Sequence, residues 1–380
     1  MAIKGSLNSN FRKVLAVCPP PALKQTQPGT LLSQKKYTLS GSWAAQKARE
    51  RQKEERIKTG VKLTGFFQVM DHKTGWEGME PIKRTELVDV DGIPLLKNTA
   101  DNWQRLWAFK ARPDDLLICT YPKAGTTWIQ EIVSMIQHRG DPQKCDQVPI
   151  HQRIPLIDMF PPKHFPRGQL SPSGVSGLEQ AETIPSPRTL KSHLPVQLLS
   201  PSFWEQNCKI IYVARNAKDN AVSYFHFYHM NKGLPEPGNW DEFLENFLAG
   251  KLVWGSWFDH VCGWWEAKDR HPILYLFYED MKEDPAREIR KVAQFLGLQL
   301  PDPVVNQIVQ HTMFENMKLN PMTNYSSIPS LIFDQTVSPF MRKGTVGDWK
   351  EHFTVAQSER FDDACERLLG GSNLIFRTQL

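Results

Sequence analysis

Nine residues, Thr120 to Trp128 (TYPKAGTTW), set one lysine, one glycine and two threonines between an apolar run and a helical pattern. Backbone N–H groups at a helix start, with the helix dipole behind them, make an anion site, and glycine lets a ligand approach the backbone closely. Lys123 adds a point charge, and the hydroxyls of Thr126 and Thr127 add donors. The loop differs from the GxxxxGK[ST] cradle of nucleoside triphosphates, because its lysine precedes its single glycine and the loop is shorter. It suits a nucleotide with one 5′ phosphate-type group better than a metal-bound triphosphate. Taken alone, the same residues could be a helix cap with an incidental lysine. A second pair capable of chemistry is Lys191 and His193 in RTLKSHLP. Two residues apart, they share a face if the segment is a strand. An imidazole with its ordinary pKa of about 6.5 can accept a proton near neutrality, although a lone histidine is more often structural.

These residues must be held by alternating strands and helices. Leu116 to Tyr121 (LLICTY), Lys209 to Ala214 (KIIYVA) and Ile273 to Phe277 (ILYLF) are short β-branched or aromatic runs that read as buried strands. Helical patterns follow each, from about Thr127, over about Ala217 to His229, and over about Pro285 to Leu296. The alternation predicts a single α/β domain with a central parallel sheet flanked by helices, carrying a P-loop-like anion-binding loop. Residues 159–187, rich in Pro, Gly and Ser, read as a long loop of the kind that serves as a lid.

Four segments in register carry a resemblance. TYPKAGTTW is similar to the YPKSGTTW loop of cytosolic sulfotransferases, with Ala124 in place of the usual serine. RTLKSHLP resembles that family's substrate-side strand, VARNAKDNAVSYFHFYHM (Val213 to Met230) its 3′-phosphate segment, and FMRKGTVGDWK (Phe340 to Lys350) its C-terminal signature. LYLFYEDM and NPMTNY also fit, and the match is closest to the phenol and aryl branch. The resemblance implies a donor, PAPS (3′-phosphoadenosine 5′-phosphosulfate), with no metal, and in-line sulfuryl transfer to the hydroxyl of a small-molecule acceptor. It makes His193 the general base and has Lys123 and Lys191 neutralise developing charge. It gives Ser223 a role in holding Lys123 back until substrate arrives. The implied donor site comprises Lys123, Ala124, Gly125, Thr126, Thr127 and Trp128 at the loop, with Arg215 and Ser223 on the 3′-phosphate. Tyr278, Thr312, Met313 and Phe314 lie around adenine, and Phe340, Met341, Arg342, Lys343 and Gly344 complete the corner. A nucleotide-dependent small-molecule kinase sharing the strand-loop-helix is the alternative, disfavoured by the missing triphosphate motif.

The acceptor pocket departs from the phenol-type pattern. Phe227 and Tyr325 remain as expected walls, but Leu156 and Met159 stand where two phenylalanines are usual, and Ile332 replaces an aromatic. Asn231 offers no carboxylate where catecholamine-selective relatives carry one. The expectation is a wider, less aromatic pocket with little preference for cationic amines. KEHFTVAQSE (Lys350 to Glu359) matches the family's KxxxTVxxxE motif, which implies a homodimer through Lys350, Thr354, Val355 and Glu359.

The chain has 380 residues, Lys+Arg 46, Asp+Glu 41 and net charge +5. Residues 1–78 hold 14 basic and 5 acidic groups, a net of +9, which leaves 32 basic and 36 acidic groups, a net of −4, for 79–380. The basicity therefore belongs to a low-complexity extension, 1–78, expected to be disordered apart from one charged helix over Lys47 to Lys62. The remainder, 79–380 with its core at about 113–372, carries no electrostatic argument for a nucleic-acid partner. Apolar runs fall far short of the roughly 20 residues of a membrane helix. The six cysteines lack zinc-ligand spacing and read as free thiols in a reducing cytosol, so a cytoplasmic location is expected.

Overall fold

The computed structural model describes residues 83–161 and 175–380. The basic extension, with its expected helix, and residues 162–174 of the Pro/Gly/Ser-rich stretch lie outside the described residues. Two short antiparallel strands come first, β1 (Leu87–Val90) and β2 (Ile93–Leu96). Asp91 and Gly92 join them with φ of 50° and 82°, a two-residue turn whose left-handed backbone suits Asp-Gly. This hairpin is absent from the pattern-based reading, although Asp-Gly between apolar runs is its signal.

Four parallel strands then build the sheet: β3 (Leu116–Thr120), β4 (Thr189–Ser192), β5 (Lys209–Ala214) and β6 (Ile273–Phe277), in the order β4-β3-β5-β6. Ile118 lies opposite both Lys191 and Ile211, and Ala214 opposite Phe277. All five residues of β3 are buried, as its unbroken apolar run requires when helices cover both faces. Alternate residues face two cores. Leu117, Cys119, Ile210 and Tyr212 pack with Phe203, Trp257 and Trp264 on one face. Leu116, Ile118, Ile211 and Val213 meet Ile129, Val133 and Ile289 on the other. The helices that carry site residues are α1 (Thr126–Gln137), α2 (Gly177–Thr183), α3 (Ala217–Met230) and α4 (Tyr278–Glu283), with α5 (Val355–Leu369) near the C-terminus.

The chain leaves β3 for β4 on one side, then crosses to β5 on the other. The carboxyl ends of the strands beside β3 therefore border the crevice where open parallel sheets bind ligands. The three strands read from apolar runs match to within a residue, and β4 is the segment that the family resemblance supplied. One reading is corrected. Residues 159–187 are not loop throughout: Ser176 Oγ accepts the Glu179 N–H (3.2 Å) and Glu179 Oε2 accepts the Ser176 N–H (2.9 Å), a reciprocal cap that starts α2. Tyr278, directly after β6, opens α4.

Candidate active site

Each strand end delivers one group. The loop after β3 turns at Lys123, whose φ of 68° is left-handed, and at Gly125 (φ 104°) before α1 begins. A Cβ on Gly125 would lie 2.7 Å from the Tyr278 ring, so only glycine fits there. β4 presents Lys191, and His193 follows one residue beyond the strand end. β5 leads into Arg215, and β6 into Tyr278.

His193 is 8% exposed, and its Nδ1 lies 2.8 Å from the Thr120 carbonyl oxygen. A carbonyl can only accept, so Nδ1 carries the hydrogen and Nε2 the lone pair. Asp158 Oδ1 accepts the backbone N–H of His193 (3.2 Å), and the carbonyl of His193 accepts from His260 Nε2 (3.0 Å). Burial, then the charge of Lys191, lowers the imidazole to about 3, so it is neutral at physiological pH. Lys191 is buried, its Nζ 3.5 Å from the Tyr325 hydroxyl. Lys123 Nζ donates to the Phe340 carbonyl (3.2 Å) over the rings of Phe340 and Phe227 (4.1 and 4.8 Å to the centroids). The Ser223 hydroxyl makes no hydrogen bond among the described residues, so the expected latch from Ser223 to Lys123 is not formed here. Burial first, then Arg215, Arg342 and Lys191, lowers the Lys123 ammonium to about 7.

Beyond Lys123 the cavity is lined by cations and rings. Arg215 lies 4.5 Å over the Tyr278 ring and donates to the carbonyls of Lys123 (3.3 Å) and Thr345 (2.8 Å). Trp128 meets Tyr278 edge-on at 5.5 Å. The hydroxyl of Thr312 donates to the Ile308 carbonyl (2.8 Å) and keeps its lone pairs. A Cβ on Gly344 would fall 2.2 Å from the Phe314 ring, so this glycine (φ 66°) admits close backbone approach. Arg342 and Lys343 both pair with Asp348. Burial would raise that carboxyl, but the bonds from Lys343 and Arg342 hold it below the ordinary range. The Nε atoms of Arg215 and Arg342 and the Nε1 of Trp128 are buried without partners. Three orphaned donors, two close-approach glycines and a cluster of cations fit a nucleotide with anionic groups at two positions. Ala124 is fully buried and its side chain lies outside this lining.

Donor-side and acceptor-side residues line one cavity of about 650 Å³. Among the residues expected from sequence, Leu156, Met159, Phe227, Tyr325 and Ile332 line its acceptor end, and Met313 and Met341 its donor end. Phe340 stacks on Tyr325 (4.0 Å) and Phe333 (5.7 Å), which joins the two ends through one aromatic stack. Phe333, Trp254 and His151 were missed by sequence reasoning. Trp254 packs edge-on against His193 (5.1 Å) and donates to Asp158 Oδ2 (2.8 Å). Nothing in local spacing marks these residues, because they converge only in the fold. Among the described residues, groups of three or more His, Cys, Asp or Glu able to hold a metal are absent, as are helices long and apolar enough to cross a membrane.

A sulfotransferase-domain family model matches residues 113–373. The chain belongs to the sulfotransferase family. It is 57% identical to rat sulfotransferase 1C2 over 298 residues (78% of this chain, 97% of the relative) and 58% identical to human sulfotransferase 1C2 over the same shares. Among solved structures, mouse sulfotransferase SULT7A1 complexed with PAP is similar at 33% identity and TM-score 0.61, covering 76% of this chain and 96% of that one. Retinol dehydratase in complex with androsterone and the inactive cofactor PAP is similar at 25% identity and TM-score 0.68, covering 77% and 92%. This sulfotransferase catalyses PAPS-dependent sulfuryl transfer to the hydroxyl of a small-molecule acceptor, and the kinase alternative is not favoured.

Proposed function

We propose that His193 is the general base of this sulfotransferase and that its acceptors are phenols and related small hydroxyl compounds. The observation that carries the reading is the hydrogen bond from Nδ1 to the Thr120 carbonyl, which leaves the Nε2 lone pair for an acceptor proton. PAPS supplies the sulfuryl group: the acceptor oxygen bonds to sulfur as the sulfur–oxygen bond to the 5′-phosphate breaks. Nε2 takes the acceptor proton. Lys123 and Lys191 stabilise charge on the bridging oxygen and the transferring group, in a site where positioning and electrostatics supply most of the rate. The loop from Gly125 to Thr127 holds the 5′ group. Arg215, Ser223, Arg342, Lys343 and Gly344 hold the 3′-phosphate, and Trp128, Tyr278, Thr312 and Phe314 enclose the base. Replacing His193 by Ala should lower labelled-sulfate transfer to a phenol by roughly 10²–10⁴-fold with PAP affinity kept. Transfer within threefold of the parent would rule the base out.

The acceptor end has Leu156, Met159 and Ile332 as aliphatic walls. Asn231 is buried and its Oδ1 accepts the Gly233 N–H (2.9 Å), so no carboxylate there meets a cationic amine. A simple phenol should be turned over well and dopamine poorly; equal turnover would refute this specificity. The same reading places the enzyme in the cytoplasm as a homodimer. Thr354 caps α5, Val355 beside it is 75% exposed, and Glu359 is exposed one turn on. A two-fold axis through this segment would cover Val355 and pair Lys350 with the partner chain's acidic side chain. Light scattering at low micromolar concentration should give twice the chain mass, and Val355→Glu should give the chain mass.

A further inference from the structure

His151 lies in the wall of the acceptor cavity, from the short helix Ile150–Arg153. Its ring stacks on Tyr325 (5.6 Å, 28° between planes), the residue whose hydroxyl receives Lys191. Neither ring nitrogen has a hydrogen-bond partner among the described residues, and Nδ1 is buried. A buried imidazole nitrogen left without a partner costs free energy, unless something that fills the cavity supplies one. The polar groups nearby are committed elsewhere. Arg153 is spent on Glu131 (2.7 Å), Ser134 (2.7 Å) and the Val148 carbonyl (2.8 Å), and Gln180 donates to the Gln152 carbonyl (2.6 Å). Leu156, Met159, Ile328 and Phe333 add apolar lining to the same cavity.

We propose that His151 is a polar subsite of the acceptor cavity, selecting phenols that carry a second hydroxyl or carbonyl group away from the reacting oxygen. The inference rests on the reading that this cavity receives a phenol-type acceptor. The geometry places His151 one ring beyond the Lys191–Tyr325 contact, so it meets the far part of an acceptor and not the oxygen that reacts. Burial first, then Lys191 and Arg153, lowers the imidazole to about 4, so near neutrality it is uncharged, one nitrogen donating and the other accepting. A neutral donor–acceptor pair is matched by a hydroxyl or a carbonyl. Discrimination comes from leaving the site unpaired when the acceptor lacks that group.

The test compares isosteric acceptors, 4-ethylphenol with 4-(hydroxymethyl)phenol and the corresponding 3-substituted pair. Transfer to the phenolic oxygen is followed in the parent enzyme, His151→Phe and His151→Asn. The parent should favour the hydroxymethyl compound by about tenfold in kcat/KM for at least one pair. His151→Phe, which can still stack on Tyr325, should bring that ratio near one. His151→Asn should restore part of the preference. Calorimetric affinities of the same phenols for the PAP-saturated enzyme give the ratio without turnover. Equal ratios in the parent and His151→Phe, or no preference in the parent, overturn the subsite. If neither phenol is sulfated, the phenol reading fails, and the affinity ratio still decides the role of His151.

Discussion

Lys123 is the residue whose charge the site leaves most finely balanced. Burial, Arg215, Arg342 and Lys191 together lower its ammonium to about 7, so in the unliganded enzyme it is about half protonated at neutrality. An anionic nucleotide beside it favours the charged form and raises that value. Below pH 7 the lysine is already charged and binding needs no proton. Above pH 7 it is mostly neutral, and binding must draw a proton from solvent. PAP affinity should therefore fall as pH rises from 7 to 9, by up to about tenfold per unit from this group. Calorimetry at pH 8 in buffers of different ionisation enthalpy should report uptake approaching one proton, absent in Lys123→Met. Heats independent of the buffer would mean that Lys123 stays charged in the free enzyme. The same burial, with Lys191, keeps His193 neutral, so the proposed base and the proposed charge-stabilising lysine hold opposite protonation needs within one cavity.

At the scale of elements, the donor site depends on one buried carboxylate that ties α3 to the C-terminal segment. Asp219 accepts the backbone N–H groups of Gly347 (2.8 Å) and Trp349 (3.0 Å) and the side-chain amide of Asn216 (2.9 Å). These bonds anchor Gly347 and Trp349, and Arg215 donates to the Thr345 carbonyl in the same segment (2.8 Å). Asp219→Asn turns one acceptor into a donor facing an N–H, which should destabilise the fold by about 2–4 kcal/mol and weaken PAP by more than tenfold. Denaturant titration and PAP calorimetry check both; unchanged PAP affinity in a destabilised protein would mean that other contacts place the segment. Legibility followed similar lines. β3, β5 and β6 could be read because buried parallel strands demand unbroken apolar runs, and the residues at their carboxyl ends come with them. β1 and β2 are harder, since Pro94 and half-exposed positions break the alternation, leaving Asp91-Gly92 as their mark. The cap from Ser176 to Glu179 marked α2 inside a stretch whose composition reads as loop. His151, Trp254 and Phe333 were illegible because a tertiary wall has no sequence period, whereas Lys123 and His193 sit in motifs.

For the whole molecule, the buried histidines make folding sensitive to acid. His193 and His260 are 8% and 1% exposed, and burial foremost lowers them to about 3 and about 4. His260 Nδ1 lies 2.8 Å from the Tyr212 hydroxyl and its Nε2 reaches the His193 carbonyl, an acceptor, so Nε2–H donates and Nδ1 accepts. Protonating Nδ1 would destroy the bond from Tyr212. In the unfolded chain both imidazoles return to about 6.5 and take up protons below that pH, while the folded chain does not. Their contribution is thus full above pH 6.5 and lost as pH falls toward the folded values, at about 1.4 kcal/mol per pH unit for each fully buried group. Asp158 and Glu279, raised mainly by burial, act in the opposite sense, because their folded carboxyls protonate before the unfolded ones. That offset is common to the parent and to a His260 variant, so the difference between the two isolates the histidine contribution. Urea unfolding of the full chain should give a stability flat from pH 8 to 7 and falling steeply from 6.5 to 5. His260→Gln, measured against its own value at pH 8, should flatten that slope by about half of the two-histidine term. A parent stability level or rising between pH 6.5 and 5 would show that these imidazoles are not held neutral by the fold.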